Sequence, residues 1–250
     1  RAGAVVIASG AFEAPPVFAG NDRPGIMLGT AVQRLLHLYG VVPGHRATVV
    51  TANDTGWEVA ADLLAAGVDV AAIADERNEP HTCANARAVQ AAGVTILAGY
   101  TIGAAQGRRG VEEVHLVPVH GSAETHKVRC DFVALSTTWI PSAELASMAG
   151  ARSCYDDNLA EMRLNELPDG LFLAGRVAGP CSAEDEWLQG TRAGAAAAGN
   201  PESPVSAQDD ATLSTARSSA LVAAPEVVGD KRFVCLCEDV TEGDIKTAIA

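Results

Sequence analysis

A chain of 250 residues, 48% apolar and 20% charged, has the length for one large or two ordinary domains and the composition of a globular protein. Its net charge of −13 leaves no basic footprint of the kind that nucleic-acid phosphates require. No apolar run reaches the ~18 residues of a membrane-spanning helix, so neither nucleic acid nor membrane is expected as a partner.

In chain order, residues 2–9 read as an apolar strand that ends at Gly10-Ala11. Pro15, Pro16 and Pro24 impose an irregular stretch after it. Over 29–39, Val32, Leu35, Leu36 and Tyr39 recur at helical spacing, with Gly40 as a cap. The clearest unit follows: an apolar strand at 47–52, a helix over 53–67 ending at Gly67, and a second strand at 68–75. That order with short links is a βαβ crossover. A further helix (86–93) and strand (94–100) extend it. Residues 111–120 and 126–130 alternate like a hairpin turning at Gly121-Ser122, and 131–137 is another buried strand. After a loop, residues 170–174 form a strand that runs into a glycine-rich turn, and 184–199 form a helix of small residues. Residues 200–230 are rich in Pro and Ser without a period, as in a linker. A new module opens at 231.

The chain begins with Arg1 and ends inside a helical pattern. Both ends are read as cuts through a longer protein without a visible signal segment, and a cytoplasmic location is expected.

The βαβ turn allows a physical test. A dinucleotide fingerprint places glycines at its first, third and sixth positions, for the tight turn, for close approach of the pyrophosphate and for helix packing. Those positions are Thr51, Asn53 and Gly56, so only the packing glycine is kept. Asn53 and Asp54 open the helix, and Asp75 ends the second strand, where a carboxylate would bond a ribose hydroxyl and favour NAD over NADP. Two readings stay open: a working nucleotide site, or a Rossmann unit kept as scaffold. No residue presents itself as a catalytic acid or base.

Cys235 and Cys237 form a CxC before Glu238-Asp239-Val240-Thr241, and soft thiolates select zinc or iron–sulfur clusters. Unmetallated thiols are the other reading. The remaining cysteines, Cys83, Cys130, Cys154 and Cys181, read as reduced and semi-buried. His37, His45, His81, His115, His120 and His126 show no ligand spacing. Trp57 and Trp187 read as packing residues.

Four landmarks then occur in order: ASGA (8–11), NDTGWE (53–58), STTWIPSAEL (136–145) and AGRVAG (174–179). The order resembles the two-dinucleotide-domain flavoproteins that include thioredoxin reductase. A disulfide reductase would need a CxxC in the central domain, and Cys83 has no partner there. Residues 21–44, 48–77, the Trp-x-Pro return and FVCLCEDVTEGDI (233–245) resemble more specifically the alpha subunits of heterotetrameric sarcosine oxidase. CLCEDVT also resembles the opening of the small ferredoxin module found in opine and hydroxyproline dehydrogenase subunits.

The resemblance implies an α/β fold of nested Rossmann-like FAD/NAD(P)-binding domains, followed by the start of an iron–sulfur module. On it, 1–45 and 128–199 form an outer domain whose N-terminal part is missing, and 46–127 form an inserted NAD-binding-like domain. Residues 231–250 then start an iron–sulfur or sarcosine-oxidase C-terminal module. Ser9, Gly10, Asn53, Asp54, Gly56, Asp75, Gly175 and Arg176 are the implied cofactor contacts. Arg176 stands where flavin-binding relatives carry Asp, and either pairs with a pyrophosphate or is structural. FAD or NAD, an FMN at a subunit interface and a two-iron, two-sulfur cluster on Cys235 and Cys237 are the implied cofactors. A flavin-bearing beta subunit, smaller subunits and a small amine are the implied partners. An amine-oxidising complex is the first expectation. An opine, hydroxyproline or cyanide-forming dehydrogenase subunit with a cluster, and a non-catalytic scaffold subunit, are the alternatives.

Overall fold

The computed structural model describes residues 2–78, 84–156, 161–179, 183–199 and 231–250. In chain order these form β1 (Val5–Ile7), β2 (Ala11–Ala14), β3 (Ile26–Leu28), α1 (Gly29–Tyr39), β4 (Arg46–Thr51), α2 (Asp54–Ala65), β5 (Asp69–Asp75), α3 (Ala84–Ala91) and β6 (Thr95–Ala98). There follow β7 (Tyr100–Gln106), β8 (Glu113–Pro118), β9 (His126–Arg129), β10 (Phe132–Ser136), β11 (Thr138–Pro141), α4 (Glu144–Met148), β12 (Arg152–Asp156), β13 (Glu161–Glu166) and β14 (Leu171–Leu173). The last elements are a 3-10 turn at Gly175–Ala178, α5 (Ala183–Ala197), β15 (Phe233–Cys235), β16 (Val240–Thr241) and α6 (Glu242–Ile249).

The described residues separate into two compact units, named here for their place in the sequence. The central unit comprises those of 13–138 and 219–250, and the flanking unit those of 1–12 and 139–218. The boundaries therefore fall at 12/13 and 138/139, where the sequence reading placed them at 45/46 and 127/128. Sheet pairing is the reason. β3 and β10, assigned above to the outer domain, join β4, β5 and β6 in one parallel sheet of order β3-β10-β4-β5-β6.

This sheet is buried on both faces, so its strands are continuous apolar runs. Successive side chains go to opposite sides. Val49 and Ile73 meet Trp57, Val59, Leu63 and Val89 of the helical layer. Val50 and Ala74 meet Phe18, Ile102, Val114 and Leu116 on the side of the antiparallel β7-β8-β9 sheet. Trp57 and Leu63 are fully buried, each contributing about 1.5–3 kcal/mol by loss of water contact. α2 forms because Asn53 caps it and Trp57, Val59, Ala60 and Leu63 fall on one face. A Cβ on Gly56 would collide with the Thr51 side chain, which accounts for that glycine.

The predicted 94–100 strand is divided at Gly99, whose φ of 74° turns the chain from β6 into β7. The predicted hairpin at 121–122 corresponds to β8 and β9. In the flanking unit, β1 pairs in parallel with β14, Val5 opposite Leu171 and Ile7 opposite Leu173. Ile7, Ala146, Leu164, Leu171, Leu173 and Val177 form its core. The antiparallel β12–β13 pair falls where a loop is predicted, because RSCYD and EMRLNE carry charge rather than an apolar period. The proposed linker 200–230, Cys83, Cys181 and His81 lie outside the described residues. No described helix is long and apolar enough to cross a membrane.

Candidate functional site

The candidate residues fall into separate groups, each at the end of strands. In the central unit, parallel register sets Asp75 of β5 beside Thr51 of β4, and Thr51 beside Ser136 of β10. β4 continues through α2 to β5 on one side, while β10 lies on the other. The ends of β4 and β10 therefore border the crevice at a topological switch point, where open α/β sheets bind ligands.

Side chains of the protein fill that edge. The Thr51 hydroxyl accepts the Asn53 N–H at 3.1 Å and points its own hydrogen at the carbonyls of Asn53 and Ser136, at 2.7 and 3.0 Å. Asn53 Oδ1 accepts the Thr55 N–H at 3.1 Å, and its Nδ2 donates to the Thr137 carbonyl at 3.4 Å. Glu13 is 5% exposed, with Oε2 accepting the N–H and hydroxyl of Thr30 at 2.8 and 2.7 Å. Its Oε1 accepts the Ser136 hydroxyl at 2.8 Å. Thr30 lies in the first turn of α1, whose own cap residue, Leu28, offers no side-chain bond. Glu13 supplies from a distance the acceptor that the N-terminus lacks.

Asp75 does not face solvent as a ribose acceptor would. It is fully buried, and its carboxylate accepts Trp57 Nε1 at 2.9 Å, the Arg77 N–H and Nε at 3.0 Å, and Arg77 Nη2 at 2.8 Å. Arg77, its side chain 9% exposed, also donates to Asp54 at 2.9 Å. Burial opposes the guanidinium's charge, but the bonds to Asp75 and Asp54 outweigh it and raise its pKa above the ordinary arginine value. Arg77 and Glu13 were not singled out in the sequence. Arg77 had a signal, two residues after the strand-ending acid; Glu13 had none, since only the fold brings it to α1.

In the flanking unit, the turns after β1 and β14 leave from one edge, where the Ala174 N–H bonds the Ile7 carbonyl at 3.0 Å. Gly10 and Gly175 there have φ of 74° and 73°, and a Cβ on either would meet nothing within 4 Å. The Ser9 hydroxyl donates to the Ser142 carbonyl at 2.7 Å, and the Gly175 N–H donates to Gln189 at 3.0 Å. Arg176 lies over the Trp139 ring, 4.2 Å from its centre, with Glu186 at 3.6 Å. Stacking of a guanidinium on indole holds the group in place without consuming its outward donors. Trp187, expected to pack, is 74% exposed; α5 packs through small residues such as Ala193, leaving the indole outside.

The cysteine segment is tied to the rest of the central unit through Asn21 and Gly20. Asn21, 7% exposed, donates to the Phe233 carbonyl at 2.8 Å and accepts its N–H at 2.9 Å, and the Gly20 N–H bonds the Lys231 carbonyl at 2.8 Å. Thr241 and Asp244 form a capping box on α6. Cys235 and Cys237 lie with sulfurs 2.9 Å apart. The Cys237 thiol and the Glu238 N–H pull the Cys235 pKa down, and the same sharing pushes Cys237 up. Two convergent thiols, Cys237 exposed and Cys235 half-buried, suit half of a four-thiolate cluster site. Among the described residues no group of three or more His, Cys, Asp or Glu side chains could hold a metal ion. Cys130 is buried, which raises its pKa, and Cys154 is exposed.

No family model matches the chain. It is 32% identical over 253 residues to the sarcosine oxidase subunit alpha of Rhizobium meliloti (strain 1021), covering 99% of this chain and 24% of that protein. It is 33% identical over 205 residues to the corresponding subunit of Corynebacterium sp. (strain P-1), covering 79% of this chain and 21% of that protein. The chain thus spans less than a quarter of the length of these relatives. Its fold is similar to that of T. acidophilum thioredoxin reductase, with a TM-score of 0.60 at 14% identity, over 79% of this chain and 65% of that one.

Proposed function

Over the stretch it spans, this chain belongs to the family of sarcosine oxidase alpha subunits, and from that premise we propose that it serves a flavin-dependent complex oxidising the CH–NH group of a small secondary amine. The observation that carries this reading is the 32% identity along 99% of the chain, which runs through both nucleotide-type units and the cysteine segment. The chain's part is to hold cofactors and partners in place, for no described side chain is arranged as an acid–base pair around an open site.

A dinucleotide, FAD or NAD, belongs on the flanking edge, where Ser9, Gly10, Gly175 and Arg176 are gathered. Positive-φ glycines with free space around them let a pyrophosphate approach the backbone, and the stacked Arg176 guanidinium offers it a cation. A flavin-bearing beta subunit and smaller subunits complete the complex, with an FMN at a subunit interface, in the cytoplasm. The bound flavin supplies the two-electron oxidation of the amine.

The 2.9 Å approach of Cys235 and Cys237 favours a second reading, a dehydrogenase subunit of the opine or hydroxyproline type. There the two thiols supply half the ligands of a two-iron, two-sulfur cluster.

The test is to purify the full-length protein with its partner subunits and titrate it anaerobically with sarcosine and other N-methyl amines. Amine-dependent bleaching of the flavin spectrum is expected, and a flavin that no amine reduces would overturn the proposal. Iron analysis of the same sample separates the readings. Two irons per chain, lost in Cys235→Ser, select the dehydrogenase, and flavin without iron selects the oxidase.

A further inference from the structure

We infer that the central Rossmann unit is self-liganded: Glu13, Asn53, Asp54, Asp75 and Arg77 satisfy the phosphate and ribose positions of its crevice, and the unit admits no dinucleotide. The proposal concerns a part of the fold that the amine-oxidising reading leaves without a task. It takes from that reading only the class of ligand excluded.

A dinucleotide needs three things at this edge: a bare turn, free N–H groups at a helix N-terminus, and an acidic ribose acceptor. Each is already used. The turn carries the Thr51 side chain across it, bonded to Asn53 and Ser136. The Asn53 N–H is given to Thr51 and the Thr55 N–H to Asn53, so two of the donors that would meet a pyrophosphate at α2 are occupied. The ribose acceptor, Asp75, takes four hydrogen bonds from Trp57 and Arg77 beneath a surface that Arg77 closes. A ribose could reach it only after the guanidinium left, stranding a buried carboxylate.

Charge gives the same answer. A helix N-terminus attracts an anion, and a phosphate normally takes that place. At α1 the anion is the protein's own Glu13 carboxylate, bonded to the Thr30 N–H and hydroxyl and to Ser136. At α2, Asp54 occupies the first turn. Among the described residues, the carboxylates of Glu13, Asp54 and Asp75 lie at this edge, where a pyrophosphate would bring further negative charge. The unit is therefore built in the arrangement that a ligand would otherwise induce, as a rigid base for the docked cysteine segment.

Two experiments test this. In the first, hydrogen–deuterium exchange of the full-length protein is compared with and without NAD, NADP or FAD, reading peptides over 48–60 and 72–78. Unchanged exchange there is expected with every ligand, and slowed exchange in both peptides would overturn the inference. Slowing confined to 8–11 and 174–179 upholds it together with the proposed flanking site. Slowing nowhere upholds it while counting against that site. In the second, Glu13→Ala is prepared with Glu13→Gln as the shape-conserving control. The Ala variant should melt lower and recover part of the loss in acetate or inorganic phosphate, while the wild type and Glu13→Gln show no such selective gain. Equal anion effects on all three proteins would remove Glu13 from the internal ligand set.

Discussion

The two strand-end edges that carry the candidate residues are built in opposite ways. On the central edge, polar groups answer one another: Thr51 with Ser136, Asn53 with Thr55, Asp75 with Trp57 and Arg77. Its turn glycine, Gly56, is spent on packing against Thr51. On the flanking edge, Gly10 and Gly175 hold left-handed backbone with open space where a Cβ would be. A left-handed glycine turn whose backbone stays accessible suits close approach by a ligand, and a turn sealed by its own hydrogen bonds suits a scaffold. On the proposed reading, a handful of side chains at the strand ends decides which edge binds and which supports.

The comparison breaks if Arg77 can be removed at little cost. Arg77→Ala would leave the buried Asp75 carboxylate without its cation, and a loss of about 3–5 kcal/mol is expected for such a site. Denaturant unfolding should show it as a lower midpoint with an unchanged slope. A variant as stable as wild type would mean that Asp75 is free to serve a ligand.

Gly56→Ala sharpens the contrast at the level of packing. The added methyl meets Thr51, and about 1–3 kcal/mol of destabilisation is expected from overpacking. In a Thr51→Gly background, which lacks every atom the methyl meets, Gly56→Ala should cost less in thermal unfolding. Gly10→Ala meets no atom, and its cost comes from the positive φ alone, about 1 kcal/mol. Its larger effect should be weakened dinucleotide binding by the full-length protein.

Asn21→Ala asks how firmly the cysteine segment is held. It deletes both bonds to the Phe233 backbone and leaves buried partners unpaired, at about 1–3 kcal/mol of local stability. Faster exchange over 231–250 with unchanged exchange in β4 and β5 is the expected signature.

The smallest effect is at α6. The Thr241 hydroxyl and backbone N–H hold the Asp244 carboxylate below its ordinary pKa. A depressed folded-state pKa means that the cap contributes fully above the unfolded aspartate value of about 3.9 and is lost as pH falls through the lower folded value. Fraying of α6 amides in acid should therefore match the fraying that Asp244→Ala produces at neutral pH.

Most of the layer order was legible in the sequence, because β4, α2 and β5 carry the apolar periods and turn glycines of a βαβ unit. The unit boundaries were not. Whether 26–28 and 132–136 belong with 46–51 depends on which strands pair, and three parallel apolar segments do not encode their neighbours. The loss of the fingerprint glycines at Thr51 and Asn53 was visible and pointed to a damaged site. What replaced the ligand was not visible, since Glu13 lies 17 residues from Thr30 and 123 from Ser136. Asp75 shows the limit of motif reading: a strand-ending acid looks alike whether it awaits a ribose or anchors an arginine.

The most direct measurement is a crystal structure of the full-length alpha subunit with a bound dinucleotide. The account predicts density beside Gly10 and Gly175, with Asp75 still bonded to Trp57 and Arg77 and Glu13 still on the α1 N-terminus. Density on the N-terminus of α2, with Arg77 swung away from Asp75, would contradict it.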